Sequence, residues 1–175
     1  MAALSRREAL STLREGQDRL AALLAQLSDE ELAQPSALGG GEWSPQDLIG
    51  HMAVWEEVAL ATVEAWLGGE RPPIEERFGS RETDEINARN QDRKHSWSLE
   101  RIRTDSEGTH RRLVSAIEGM TEEQWTCAVP FEPDGEQETL GEELGGVLGA
   151  PGRPFGHAFA HLPDLEAYVR SVTKR

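Results

Sequence analysis

The chain is 175 residues long, enough for one domain whose core needs no disulfide. Its 32 acidic against 18 basic side chains give a formal charge of −14, which argues against phosphate backbones and anionic lipid headgroups as partners. A lone cysteine, Cys127, rules out an internal disulfide framework and suits a reducing cytoplasm, and neither a long apolar span nor a signal-peptide pattern is apparent.

In chain order, helical period dominates. Ser5 and Glu8 have the spacing of a capping box, and Leu10, Leu13, Leu20, Leu24 and Leu27 follow on one face, predicting a helix over 6–27. Ser28-Asp29-Glu30-Glu31-Leu32 opens a further short turn, and Gly39-Gly40-Gly41 marks a loop. Ser44-Pro45-Gln46-Asp47 supplies an N-cap, a proline at the first helical position and an acid in the first turn. The helix it starts should run to about Leu67, where Gly68-Gly69 stops it. Its inward stripe is Leu48, Met52, Trp55, Ala59, Thr62 and Trp66, with His51 on the same side as Leu48 and Trp55.

Residues 70–97 break at Arg71-Pro72-Pro73 and continue as a helix-tolerant run almost without apolar residues. That composition fits either a solvated helical extension or a rim over a cavity. A third long helix starts at Ser98, with Leu99, Ile102, Leu113, Ile117 and Met120 inward, and Thr121 to Trp125 repeats the short capped turn. Thr139-Leu140-Gly141-Glu142 opens a short helix that Gly149 to Pro154 interrupts, and the last helix spans roughly 155–172. Two halves emerge, each a long helix, a short capped turn, a proline (Pro35, Pro130), a loop and a helix bearing histidine. The prediction is an all-α four-helix bundle over residues 1–175, with long crossings between the halves.

His157 and His161, four apart on a helix, leave one face about 5–6 Å from each other. Two imidazoles rarely make a tight metal site. His51 lies on an apolar stripe, where an unpaired imidazole costs desolvation energy, and is the third candidate. Three imidazoles with open positions suit a borderline divalent ion such as zinc, nickel or iron(II). Glu56 and Asp164 are either carboxylates standing behind these rings or ordinary surface acids. Pro163 should kink the last helix locally. His95 and His110 sit among charged residues and read as solvated. Trp43, Trp55 and Trp97 are the aromatic residues expected nearest a substrate pocket, and Arg153 is either an anion-holding group or a surface arginine. Cys127 has no neighbouring cation or helix start to activate it and reads as a passive small residue.

The run Glu42-Trp43-Ser44-Pro45-Gln46-Asp47-Leu48-Ile49-Gly50-His51-Met52-Ala53-Val54-Trp55-Glu56 resembles the second-helix motif of the DinB/YfiT-like metalloenzyme superfamily. The closing His157-x-x-x-His161-x-x-Asp164-Leu165 resembles its last-helix motif, and the length, tryptophans and acidity look most like the ClbS/DfsB family. The resemblance implies an up-up-down-down four-helix bundle holding a divalent metal on His51, His157 and His161. It also implies chemistry of the kind found in thiol-dependent transferases and isomerases or small-molecule resistance proteins, with a low-molecular-weight thiol as a further cofactor. Pro163, where many relatives carry glycine, and the Ala150 to Pro154 break depart from the pattern and bear on cavity shape.

The leading expectation is a metal-dependent hydrolase or thiol or group transferase acting on a small electrophilic molecule, the ion activating water or a thiol. The alternative is a non-catalytic bundle that sequesters a small molecule or a protein partner. Oligomeric state stays open between monomer and homodimer.

Overall fold

Capping chemistry decides where the helices begin. The computed structural model describes residues 4–36, 38, 43–70, 87, 94, 96–128 and 138–173, and among them are seven helices and no strand beyond isolated bridges. They are α1 (Arg6–Leu24), α2 (Asp29–Ala33), α3 (Pro45–Leu67), α4 (Leu99–Gly119), α5 (Glu122–Trp125), α6 (Leu140–Val147) and α7 (His157–Val172). Reciprocal capping boxes close the starts of α1, α2, α3, α5 and α6 through Ser5 and Glu8, Ser28 and Glu31, Ser44 and Asp47, Thr121 and Gln124, and Thr139 and Glu142. Ser98 caps α4, whereas α7 has no side-chain cap.

Helix α3 is the axis of the bundle because it is apolar on most of its circumference, burying Leu48, Ile49, Met52, Ala53, Val54, Val58, Ala59, Thr62, Val63 and Trp66. α3 and α4 run parallel. Gln46 Nε2 donates to the carbonyl oxygen of Trp97 at their starts (3.0 Å), and Val63 and Trp66 share a core with Leu113 and Ile117 at their ends. α1 opposes both, since its first-turn Arg6 donates to the Glu118 carbonyl oxygen near the end of α4 (3.2 Å). α7 runs with α1: Ala158 lies on Gly16, where a Cβ would stand 3.0 Å from the alanine methyl, and Val169 joins Leu20 and Leu27. Going round the bundle, α1, α7, α3 and α4 therefore read up, up, down, down. Along the chain the order of directions is up, down, down, up, so α4 begins at the same end of the bundle as α3.

Boundaries shift by a few residues for local reasons. α1 ends at Leu24 because Gln26 and Leu27 bond back only three residues, to Leu23 and Leu24. α7 starts two residues later than predicted because Phe155 has φ 58°, outside the helical region. It continues as one helix through Pro163. Much of the 70–97 reading, the three-glycine loop, Pro130 and His95 lie outside the described residues. Lys94 is described, and it is buried rather than solvated: its Nζ donates to Glu57 Oε1 (2.9 Å) and Asp105 Oδ2 (2.5 Å). Among the described residues no helix is long and apolar enough to cross a membrane.

Candidate metal centre

The second turn of α3 and the first two turns of α7 bring three imidazoles to one point. His51 Nε2 lies 3.0 Å from His157 Nε2, which lies 3.2 Å from His161 Nε2. The candidate ligand atoms all fall within 4.8 Å of one another. Two ligands each about 2.0–2.1 Å from one ion, at roughly 90–109° to each other, sit about 2.8–3.4 Å apart, so the His51–His157 and His157–His161 spacings each fit two ligands of one divalent cation. His51 Nδ1 and His157 Nδ1 are buried with no hydrogen-bond partner among the described residues. The polar contacts of the His51 and His157 rings therefore run through Nε2.

Burial leaves these rings neutral. It drives the His51 pKa from its usual value near 6.5 down to about 2, with His157 and His161 adding repulsion. His157 is held at about 3, again by burial first and by His161 second. His161 is lowered by burial and partly restored by the Asp164 carboxylate. A neutral imidazole is the form that ligates metal, so at pH 7 all three have a lone pair to offer.

Two tryptophans wall the cluster. Trp43 stands 4.8 Å from His51, centroid to centroid, and its carbonyl oxygen accepts from Ser36 Oγ (2.9 Å). Trp55 presents its edge at 6.4 Å from His51 and 6.0 Å from His157, and its Nε1 donates to Asn87 Oδ1 (3.2 Å). The other sequence-predicted residues are placed elsewhere. Trp97 packs under the Arg101 guanidinium (3.7 Å from the ring centroid), beside Lys94. The Arg153 guanidinium stacks 3.2 Å over the Phe159 ring, two residues from His157 and so on the far side of α7, and lines a separate cavity of about 410 Å³ with Gly141, Gly145 and Phe155. Asp164 is exposed and acts on His161 through space.

Glu56 does not stand behind His51. Its Oε1 lies 2.7 Å from His110 Nδ1, and both side chains are largely buried between α3 and α4. His110 is thus a buried partner of a carboxylate rather than a solvated residue. The adjacent acids Glu56-Glu57 inside the apolar run Val54 to Ala59 were the available signal, since such acids need partners on a neighbouring helix. Cys127 accepts a hydrogen bond from Trp66 Nε1 (3.2 Å).

A helical bundle with three imidazoles gathered between its central and last long helices defines the class of protein at hand. The family model described as the DinB superfamily matches residues 12–149, and the chain belongs to that family. The match covers His51 and stops before α7, so the two α7 histidines rest on the geometry above. No curated protein matches the chain. Among solved structures, an uncharacterised protein from Escherichia coli UTI89 is similar at 14% identity and TM-score 0.72, over 97% of this chain and 95% of its own. The colibactin self-resistance protein ClbS, solved in complex with dsDNA, is similar at 14% identity and TM-score 0.69, over 100% and 99%. The mycothiol-dependent maleylpyruvate isomerase is similar at 21% identity and TM-score 0.67, over 93% of this chain; the chain spans only 61% of that protein. At such identities the likeness establishes the DinB-like helical fold.

One inference from composition is overturned. The excess of acids argues against nucleic acid as a partner, yet ClbS has this fold and was solved in complex with dsDNA. Net charge sums the whole surface, whereas phosphates respond to the cations within a Debye length of them.

Proposed function

We propose that this protein is a divalent-metal-dependent enzyme that acts on a small electrophilic molecule, in a detoxification or self-resistance role. The observation that carries this reading is the convergence of three imidazoles, their Nε2 atoms 3.0 and 3.2 Å apart, with the Nδ1 atoms of His51 and His157 buried and unpartnered. His51, His157 and His161 would hold the ion, and zinc, nickel and iron(II) all accept such a donor set. A bound dication would act as a Lewis acid, lowering the proton affinity of water or a thiol enough to leave an attacking anion near neutral pH.

The chain's own residues supply the remainder. His51 and His157, held neutral by burial, keep their lone pairs free of protons across the physiological range. Trp43 and Trp55 cover the imidazoles with apolar surface, which excludes bulk water and offers a flat face to a substrate. Asp164 favours positive charge at His161. The likeness to a mycothiol-dependent isomerase supports a low-molecular-weight thiol as co-substrate, and the likeness to ClbS supports both a protective role and duplex DNA as a macromolecular partner.

Elemental analysis of the purified protein, with His51→Ala and His161→Ala alongside, is the test. The reading expects close to one divalent ion per chain in the native protein, none in the variants, and turnover of electrophile with thiol or water lost with the metal. Full turnover by metal-free His51→Ala protein would refute it. A gel-shift titration with duplex DNA at rising salt tests the nucleic-acid partner, expected to weaken as salt rises.

A further inference from the structure

The start of α7 is built unlike any other helix start described here. It has no side-chain cap, and the residue two before it, Phe155, holds φ 58°, a region that side chains larger than asparagine rarely occupy. Something must hold it there. The Phe155 ring is 2% exposed and stacks on Trp125 at 5.8 Å between centroids and 24° between planes. Both rings press on one face of α6, where Gly141 and Gly145 stand a turn apart. A Cβ at Gly141 would lie 2.5 Å from Trp125 Cε2, and one at Gly145 would lie 3.2 Å from Pro154 Cβ and 3.3 Å from Phe155 Cε2. The absent side chains are the slot in which the two rings sit.

The same seam fixes the backbone. Phe155 N–H donates to the Gly145 carbonyl oxygen (3.3 Å) and His157 N–H to the Leu148 carbonyl oxygen at the end of α6 (2.9 Å). α6 in turn packs on α3, which carries His51. A continuous chain of contacts therefore runs from His51 through α3 and α6 to Phe155 and on to His157.

We propose that Phe155, held left-handed with its ring in the slot opened by Gly141 and Gly145, is the positioning residue that sets His157 against His51. It touches neither imidazole. It acts by fixing the angle and register at which α7 leaves α6, so that the first-turn imidazole meets its partner on α3. The proposal rests on the metal-site reading only for its consequence for metal affinity; the placement of the two rings stands apart from any ion.

Two readouts test it on full-length protein. In metal-free samples with ¹³Cε1-labelled histidine, the nuclear Overhauser effect between the His51 and His157 ring protons reports their approach. In the same samples, the dissociation constant and d–d absorption of cobalt(II) report the site. Gly145→Ala, which pushes directly on the Phe155 ring, and Phe155→Leu, which keeps an apolar plug but loses the stack, should each cut the Overhauser effect by roughly half or more. Each should weaken cobalt binding about tenfold, the scale on which groups supporting a metal ligand act. Val169→Ala, in the core at the other end of α7, serves as the stability control and should leave both readouts at the wild-type level despite a lower Tm. If both seam variants fold and match Val169→Ala in both readouts, the proposal is overturned. Should one variant fail to fold, the other decides on the same criteria. Wild-type protein that takes up no cobalt would overturn the metal reading instead, and the Overhauser comparison would still judge Phe155.

Discussion

The neutral imidazoles make the metal-free protein sensitive to acid in a window that carboxylates do not reach. His51 and His157 titrate near 6.5 when unfolded but near 2 and 3 when folded. Their depressed pKa values contribute stability that is complete above pH 6.5 and is lost as pH falls, because the unfolded chain takes up protons that the folded one refuses. Between pH 7 and pH 5 each ring removes about 2 kcal/mol, so the two together remove roughly 4 kcal/mol from a total of about 5–15 kcal/mol for a chain of this kind. His161, shifted the same way, adds to the loss. Glu8 and Glu142 are shifted below 4.5 by hydrogen bonds to their cap residues, so their contribution falls away only in more acidic solution. The assay is urea unfolding followed by the fluorescence of the five tryptophans at pH 7, 6 and 5, with a chelator present. His157→Gln removes one titrating ring at similar volume and should lose about 2 kcal/mol less than wild type over that range. If His157→Gln and wild type lose the same amount between pH 7 and pH 5, the rings are not buried neutral and the reasoning fails.

Three further outcomes follow from the geometry. Free zinc at about 100 times its dissociation constant should raise the Tm at pH 7 by roughly 5–10 °C, with no rise in His51→Ala, as read by differential scanning fluorimetry. Gly141→Ala puts a methyl group 2.5 Å from Trp125 Cε2 and should cost about 1–3 kcal/mol by chemical denaturation; an unchanged midpoint would show that the slot is loose. Lys94→Met strips Glu57 and Asp105 of their shared cation and should cost about 1–3 kcal/mol at pH 7 by chemical denaturation; an unchanged midpoint would show that the cation contributes nothing there.

The helix starts and the three imidazoles were legible in the sequence because both depend on short spacings. A serine or threonine three residues before a carboxylate or amide caps a helix wherever the helix later packs, and histidines four apart share a face in any α-helix. Adding His51 needed only its place on an apolar stripe. What was not legible depends on which helices become neighbours. Glu56 with His110, and Lys94 with Glu57 and Asp105, are charges satisfied across the parallel α3 and α4 pair, and no one-dimensional pattern places those partners together. Residue type alone put Trp97 near a pocket and left Arg153 between an anion-holding and a surface role; Trp97 packs under Arg101, and the Arg153 guanidinium stacks on Phe159. The left-handed Phe155 was hidden because its conformation is imposed by a slot on a different helix.

His51 and His157 are separated by 106 positions along the polypeptide. During synthesis, a nascent chain that has already packed α1, α3 and α4 still owns only one of the three imidazoles. An ion held by all three rings, as proposed, would therefore need α7 docked against α3, and a product lacking α7 would have only His51 to offer it.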